Sequence, residues 1–364
     1  MDPRFHRVVL HVDLDAFYCQ CESKRLGIDP TTPLCVEQWG GLIAVNYPAR
    51  RLGVTRHMRV KDALARNIQG VKFVHVETIG ADGIVAEDEG RNGGSGPRRS
   101  DEKACLERYR VASRDVLEVI HAELPGSATI EKASIDEVYI DVTALVEEEL
   151  EGAGGARDGE VFAWNSVIFG DVRLVATDAS AVRLAFGAKI ASRVRGAIRT
   201  ICGFTSSAGI AHNKLLAKVG SALHKPDQQT LIHPAGVQQL MEELPLRKLG
   251  RLGGKLGESL ELLIRGSGTR GPNRTDPKED NPSRSLKVSD ILRIAPESLV
   301  ACLGPERAEM VASMARGQDD SPVVVKEQSK SMLVAKSLPE QTSDMEAIAR
   351  WLLILCLEII SLSF

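Results

Sequence analysis

Val8-Val9-Leu10-His11-Val12-Asp13-Leu14-Asp15 and Ala133-Ser134-Ile135-Asp136-Glu137-Val138-Tyr139-Ile140-Asp141 decide how this chain is read. Each is an apolar, β-branched run of the kind that forms a buried strand. Each also places carboxylates where a core strand would rather have none, and an unpaired buried carboxylate is costly unless it takes up a proton. A divalent cation resolves the conflict. Carboxylate oxygens with few nitrogen or sulfur donors beside them suit Mg²⁺, which is bound through one or two carboxylates and the phosphates of a substrate. Two such ions can hold both the attacking and the leaving oxygen of a phosphoryl transfer. Neighbouring Asp136 and Glu137 point to opposite faces of a flat strand, so both reach one metal only from a strand end or turn. A plainer reading stays open for each patch taken alone. Asp15, ahead of Ala16-Phe17-Tyr18, has the position of a helix cap, and Asp141 reads as structural.

The chain has 364 residues, room for two to four domains, and its 43% hydrophobic and 26% charged content is that of an ordinary soluble protein. A net charge of −3 speaks at first against nucleic-acid binding. Its distribution speaks for it: from Ala181 to Pro226 the ionised side chains are Arg183, Lys189, Arg193, Arg195, Arg199, Lys214, Lys218 and Lys225, with no Asp or Glu among them. Local sign outweighs the total where phosphates are bound, although a solvated helix face accounts for some of these residues. The seven cysteines include no Cys-x-x-Cys pair, which predicts reduced thiols in an intracellular protein, with neither a zinc site nor a disulfide framework. No signal peptide is visible, and Trp351 to Ile360 is too short to span a bilayer.

The remaining pattern alternates strands and helices and predicts an α/β (α+β) fold. A helix is expected from Ala16 to Arg25. A hairpin should pass through Trp39-Gly40-Gly41, and short helices should cover Pro48 to Leu52 and Lys61 to Asn67. A strand follows at Val71 to Val76, then a helix from Glu102 to Leu124. A basic amphipathic helix is predicted at Ala181 to Thr200, a strand at Ser206 to Ile210 and a helix at Asn213 to Leu223. Helices at Gly236 to Leu244 and Lys255 to Ile264 are joined through Arg247-Lys248-Leu249-Gly250-Arg251-Leu252-Gly253-Gly254, as in a helix-hairpin-helix, where outward-pointing N–H groups suit a phosphate. Asp290 to Leu303 and Met345 to Leu357 read as helices, and Ser331 to Lys336 as a strand. Three polar or Gly-rich stretches, near 80–100, 147–180 and 266–285, read as insertions that loop out between motifs.

Taken together, Val12-Asp13-Leu14-Asp15-Ala16-Phe17-Tyr18 and Ala133 to Asp141 resemble the paired catalytic motifs of Y-family translesion DNA polymerases. The resemblance extends through Ile43-Ala44-Val45-Asn46-Tyr47-Pro48-Ala49-Arg50-Arg51-Leu52-Gly53-Val54-Thr55-Arg56, through Ser207 to Lys218, through Leu223-His224-Lys225-Pro226, and through Leu249 to Gly257. It is nearest the eta branch and runs in order from about residue 7 to about residue 355. It implies a right-handed architecture: a palm at 1–18 and 75–235, small fingers at 19–74, a helical thumb at 236–317, and at 326–364 the start of a little-finger domain that stops short. That shortfall carries the expectation of retained chemistry with poor DNA affinity and low processivity.

The resemblance also implies roles. Asp13, Asp136 and Glu137 are the catalytic metal ligands, with the Leu14 carbonyl as a further oxygen, for two Mg²⁺ ions or Mn²⁺ as a substitute. Tyr18 is the gate against the sugar 2′-hydroxyl, and Phe17 is its neighbour, more packing than binding. Tyr47, Arg50 and Lys225 grip the triphosphate, Arg56 lies over the incoming base and phosphates, and Gln38 touches the templating base. Lys214, Lys218, Arg251 and Lys255 are backbone contacts to DNA. The partners implied are primer-template DNA and deoxynucleoside triphosphates in the nucleus. A sliding clamp and ubiquitinated proteins are expected for the family, but no motif for them is visible, and no membrane is involved. Two other readings remain: a catalytically weak or inactive DNA-binding scaffold descended from such a polymerase, and a two-metal nucleotidyl cyclase.

Overall fold

The computed structural model describes residues 5–66, 68, 70–83, 85–86, 99–152, 165–170, 174–175, 177–266, 285–325, 333–338 and 341–362. Phe162-Ala163-Trp164 and most of the first and third expected insertions lie outside these residues.

The strands fall into three sheets. The central one has six, β1 (Val9–Leu14), β8 (Thr129–Lys132), β9 (Glu137–Asp141), β10 (Ser166–Ile168), β11 (Ser206–Ala211) and β12 (Gln229–Leu231), in the order β10-β12-β11-β1-β9-β8. β1 lies between β9 and β11, antiparallel to both, while β10 and β11 each run parallel to β12. The second sheet joins β2 (Leu34–Gln38), β3 (Gly41–Val45) and β4 (Lys72–His75). Its hairpin turns on Trp39 and Gly40, both at positive φ (52° and 80°), as a tight two-residue turn requires. Helices α2 (Tyr47–Arg51) and α3 (Val60–Ala65) complete this unit over Cys35, Leu42, Val45, Ala49, Val54 and Val60. A small third sheet, β5 (Thr78–Ile79), β6 (Val85–Ala86) and β7 (Lys103–Ala104), receives the last helix, α12 (Met345–Leu362), through Trp351 and Ile354 packed with Ile79 and Cys105. The buried Glu358 on α12 pairs with Lys103 at 2.5 Å.

Strand alternation gives the central sheet two unlike faces. Leu10, Val12, Leu14, Val138, Ile140, Ala208 and Ile210 belong to an apolar core shared with α1 (Phe17–Leu26), α4 (Glu107–Glu123), α5 (Thr143–Gly152) and α6 (Ala179–Ala197). Val9, Tyr139 and Ala211 belong to a second core, with Leu216 and Val219 of α7 (Lys214–Leu223) and with the helices α8 (Val237–Glu243), α9 (Lys255–Gly266), α10 (Pro296–Leu303) and α11 (Pro305–Ala315). His11 and Asp13 share the parity of Val9, so they face α7.

Several expectations are corrected. Ala133 to Asp141 is not one strand: 133–136 forms the turn of the β8–β9 hairpin, and the strand begins at Glu137. The helix expected from Glu102 starts at Glu107, because Lys103–Ala104 pairs with β5 instead. Asp290 to Leu303 splits into a 3₁₀ turn, Val288–Arg293, and α10, since Pro296 can begin a helix but not continue one. Residues 333–338 carry no regular structure where a strand was expected. The second insertion is not wholly a loop: it extends α5 to Gly152 and adds β10 to the edge of the central sheet.

Helix α6 is not amphipathic. Val182, Leu184, Ala185, Ala188, Ile190, Ala191 and Val194 are all buried, and so is Arg183. All eight cations of the basic run meet a carboxylate from elsewhere: Arg183 with Glu147, Lys189 with Glu149, Arg193 with Glu123, Arg195 and Arg199 with Asp227, Lys214 with Glu131, Lys218 with Glu137 and Lys225 with Asp13. The run is therefore a scaffold of ion pairs as much as a phosphate-binding surface. All seven cysteines are free thiols. Among the described residues no helix is long and apolar enough to cross a membrane.

His212, at the end of β11, makes stability depend on pH. Its Nδ1–H donates to the Arg7 carbonyl at 2.5 Å, and its Nε2 accepts from Ser180 Oγ at 2.5 Å. Burial pushes the imidazole down to about 4, against the pull of the Arg7 carbonyl. The unfolded chain takes up its proton near 6.5 and the folded chain only near 4, so between those values stability rises with pH and is complete above the upper one. Measured as the difference between wild type and His212→Asn, so that the opposing titration of Asp13 cancels, the urea midpoint is expected to fall from pH 7 to pH 5 by the equivalent of about 2 kcal/mol. A difference between the two proteins that does not change over this range would contradict the assignment.

Candidate active site

Asp13 and Glu137 are direct partners across the β1–β9 ladder, so their side chains leave the sheet on one side, toward α7. Asp136 sits in the preceding turn, where its carbonyl accepts the Leu14 amide at 2.9 Å. The geometric demand raised by the sequence is met: Asp136 and Glu137 stand at a strand end. The Asp136 side chain, however, turns back to accept Ser134 Oγ at 2.7 Å. Among the described residues no three His, Cys, Asp or Glu side chains are gathered as a metal site, while Glu137 and Asp136 lie close enough to Asp13 to add to the rise in its pKa.

Helix α7 supplies the opposing charges. Asn213 caps it by accepting the Leu216 amide at 2.9 Å, and Lys214, Lys218 and Ser221 then fall on one stripe, four and three residues apart. Lys214 Nζ donates to Glu131 at 2.6 Å and lies 4.7 Å from the Tyr139 ring centroid. Lys218 Nζ donates to Glu137 at 2.6 Å. Ser221 Oγ donates to the Lys218 carbonyl, so at 2.7 Å from His11 Nδ1 it accepts that N–H. Just past the helix, Lys225 pairs with Asp13. His11 and Glu131 were missed in the sequence, although both carry a signal. His11 lies two residues from Asp13 on β1, and Glu131 faces Tyr139 across the β8–β9 ladder.

Burial raises the Asp13 carboxyl to about 6; Lys225 pulls against this, and Glu137 and Asp136 add to the rise. The His11 ring, 3.8 Å away, and Lys218 hold Glu137 down at about 2, against the effect of burial. Burial also lowers His11 itself.

These groups open onto a cleft of about 820 Å³ lined by Asp13, Glu137, Lys214, Lys218, Lys248 and Arg251, among others. The last two come from the Arg247–Gly254 connection. Its left-handed residue is Arg251 (φ 68°) rather than a glycine, and Arg247 donates to the Gly253 and Gly254 carbonyls. Lys255, exposed at the start of α9, does not line the cleft.

The other expected residues lie toward the second sheet. Asn46 caps α2 through the Ala49 amide, and from that helix Arg50 stacks over the Tyr47 ring at 4.6 Å while donating to the Val45 carbonyl at 2.9 Å. Burial, then Asp15 and Asp13 among others, raise the Tyr47 phenol, which places it beside the end of β1. Tyr18 is half-buried and stacks on Tyr109, with ring centroids 4.0 Å apart. Its phenol is raised by burial and then by Asp136, with Arg110 and Arg56 opposing, so Tyr18, Asp136 and Arg56 share one neighbourhood. Phe17 is buried edge-on against Phe204, a packing residue. Gln38 ends β2 beside the Trp39 turn.

The impB/mucB/samB family matches residues 12–222, which contain both acidic motifs and α7. The chain belongs to this family, that of the Y-family translesion DNA polymerases. Its relatives include DNA polymerase eta of Arabidopsis thaliana, 37% identical over 279 residues (70% of this chain, 37% of that protein). DNA polymerase iota of Homo sapiens is 29% identical over 342 residues (94% and 39%). The N-acetyltransferase eso1 of Schizosaccharomyces pombe is 31% identical over 356 residues (92% and 38%). The chain thus spans less than two fifths of the length of each of these relatives. Within the Y-family match, Asp13, Asp136 and Glu137 offer the hard oxygen donors that suit a divalent cation. The positive charge they call for is met by Lys225 at Asp13 and by Lys218 at Glu137.

Proposed function

We propose that this chain carries the catalytic unit of a template-directed DNA polymerase. It would add deoxynucleotides to a primer by phosphoryl transfer and be specialised for synthesis past UV-type pyrimidine dimers, in the nucleus. The central sheet with α4 and α6 serves as palm, the β2-β3-β4 unit as fingers, and α8 to α11 as thumb. One observation carries the reading: a single cleft joins the carboxylates Asp13 and Glu137 to four cations, Lys214, Lys218, Lys248 and Arg251, drawn from two parts of the fold. Carboxylates beside a basic channel suit a phosphodiester backbone ending at a reacting centre.

Asp13, Asp136, Glu137 and the Leu14 carbonyl would hold two Mg²⁺ ions, with Mn²⁺ as a substitute; such ions lower the pKa of the primer hydroxyl and neutralise the departing pyrophosphate. The protein's own part is positioning. Arg50, fixed over Tyr47, presents a fork to phosphate oxygens, and Lys225 presents a point charge. Tyr18, held by its stack on Tyr109, walls the sugar side, and Arg56 and Gln38 sit near the base pair. Lys214, Lys218, Arg251 and Lys255 contact the DNA backbone.

Primer extension with Mg²⁺, opposite a thymine dimer and opposite undamaged template, tests this. Extension on both templates is expected. Cyclic nucleotide formed without primer would replace the proposal with a cyclase, and DNA binding without extension on either template would replace it with a scaffold.

A further inference from the structure

Asp15 is the second carboxylate of the opening motif, and none of the roles above uses it. It is 2% exposed. It does not cap the following helix: α1 is preceded by Ala16 in a left-handed conformation, with no side-chain cap. Instead Asp15 reaches across the sheet. One oxygen accepts Ser207 Oγ at 2.8 Å, and the other accepts the Asp227 amide at 2.9 Å.

Asp227 closes the turn Lys225-Pro226-Asp227 and has a positive φ of 57°. Its own carboxylate accepts Arg195 Nη2 at 2.9 Å and pairs with Arg199. Arg195 is itself fixed, donating to the Ser206 carbonyl at 2.8 Å and to Gln229 Oε1 at 3.1 Å. The fully buried Gln229 donates in turn to Ser166 and to the Ala188 carbonyl. The turn is therefore gripped twice, by its main chain through Asp15 and by its side chain through Arg195. Two residues back on each segment, Asp13 meets Lys225. The Asp15–Asp227 bond and the Asp13–Lys225 pair are successive ties between the end of β1 and this turn.

We propose that Asp15 is a positioning residue: it pins the Lys225–Asp227 turn to the end of β1 and so fixes Lys225 opposite Asp13, where it meets the triphosphate. Asp15 is not a metal ligand, since both its oxygens are engaged by protein donors in a buried site. This rests on the polymerase reading for the role of Lys225. The tie itself rests on the hydrogen bonds alone.

The test compares Asp15→Ala with Asp15→Asn. The amide can accept the Asp227 N–H with its oxygen and donate to Ser207 with its nitrogen, so it keeps both ties without the charge. Asp15→Ala is expected to raise the nucleotide KM about tenfold, the size of one lost charge-assisted hydrogen bond, with a smaller change in kcat. Asp15→Asn should restore KM to within about threefold of wild type, the remnant reflecting lost charge assistance. In a Lys225→Ala background Asp15→Ala should add nothing further to KM, because the two act on one contact. Equal damage by both substitutions, falling on kcat, would overturn the proposal in favour of a metal ligand. Multiplying KM effects in the double variant would overturn it in favour of a general structural role. Hydrogen exchange of a peptide covering 224–230 reads the tie without activity: faster exchange in Asp15→Ala and not in Asp15→Asn is expected, and unchanged exchange in Asp15→Ala would overturn the clamp. An inactive wild type that still shows this exchange pattern would remove the polymerase reading and leave the clamp standing.

Discussion

Asp13→Ala is expected to lower nucleotide incorporation by on the order of 10³-fold or more while leaving the protein folded. The two parts of this result come from the same observation. Asp13 lies largely buried, with Glu137 and Asp136 close enough to add to the rise in its pKa. Its folded-state value, about 6, stands above the ordinary 3.8, so the folded chain binds the proton more tightly than the unfolded chain between those values. Stability therefore falls as pH rises through this window, and the cost is fully present at pH 7. Alanine removes both the cost and the chemistry. The melting temperature at pH 7 should hold or rise, and at pH 4 the gain should vanish. Asp141, in the second motif, should behave in the opposite way. It accepts the Thr143 amide at 3.1 Å and hydroxyl at 2.5 Å at the start of α5, and pairs with Arg7; its loss should lower stability and spare the chemical step. Single-turnover incorporation and thermal melts of both variants check this. An Asp13→Ala enzyme within about tenfold of wild type would remove the carboxylate from the reaction.

The elements that were legible rest on local pattern. The β-branched run of β1, the Trp39-Gly40 turn, the Asn213 cap and the stripe on α7 are all written within a few residues. The position of Asp136 in a turn was legible too, from the demand that two adjacent carboxylates serve one centre. The partners of the charges were not. A stretch with eight cations and no carboxylate reads as a phosphate surface, yet its counter-charges come from Asp13, Glu123, Glu131, Glu137, Glu147, Glu149 and Asp227, most of them remote in sequence. Asp15 was misread for the same reason: a helix cap is a local motif, whereas Ser207 and Asp227 lie about two hundred residues away. Helix α6 misled because Ala and Gly blur the apolar period, so a helix buried nearly all round looked one-sided with its arginines outward.

Gly209→Ala is expected to destabilise the fold by about 3 kcal/mol or more and to disable the site with it. Gly209 lies in β11 directly beneath α7. A β-carbon there would overlap the Ala217 carbonyl oxygen and press on the Ser221 amide, both main-chain atoms of the helix. Backbone cannot swing aside as a side chain can, so the whole helix must lift. Across the contact, a β-carbon on Gly220 would come within 3.2 Å of the Gly209 α-carbon, so the two glycines set how closely helix and sheet approach. That approach brings Lys218 to Glu137 and Ser221 to His11, contacts with little slack at 2.6 and 2.7 Å. Gly196 is the control: it is exposed in α6, and a β-carbon there would meet nothing within 4 Å. At that position alanine should stabilise by up to about 1 kcal/mol through helix propensity alone. Urea unfolding of the two variants should give opposite signs. At a temperature where Gly209→Ala is still folded, incorporation should already be impaired, because the lysine stripe is displaced before the core is lost. Wild-type kinetics in that folded population would show that the seating of α7 does not set the chemistry. A wild-type urea midpoint would show that the sheet accommodates the methyl group without moving the helix.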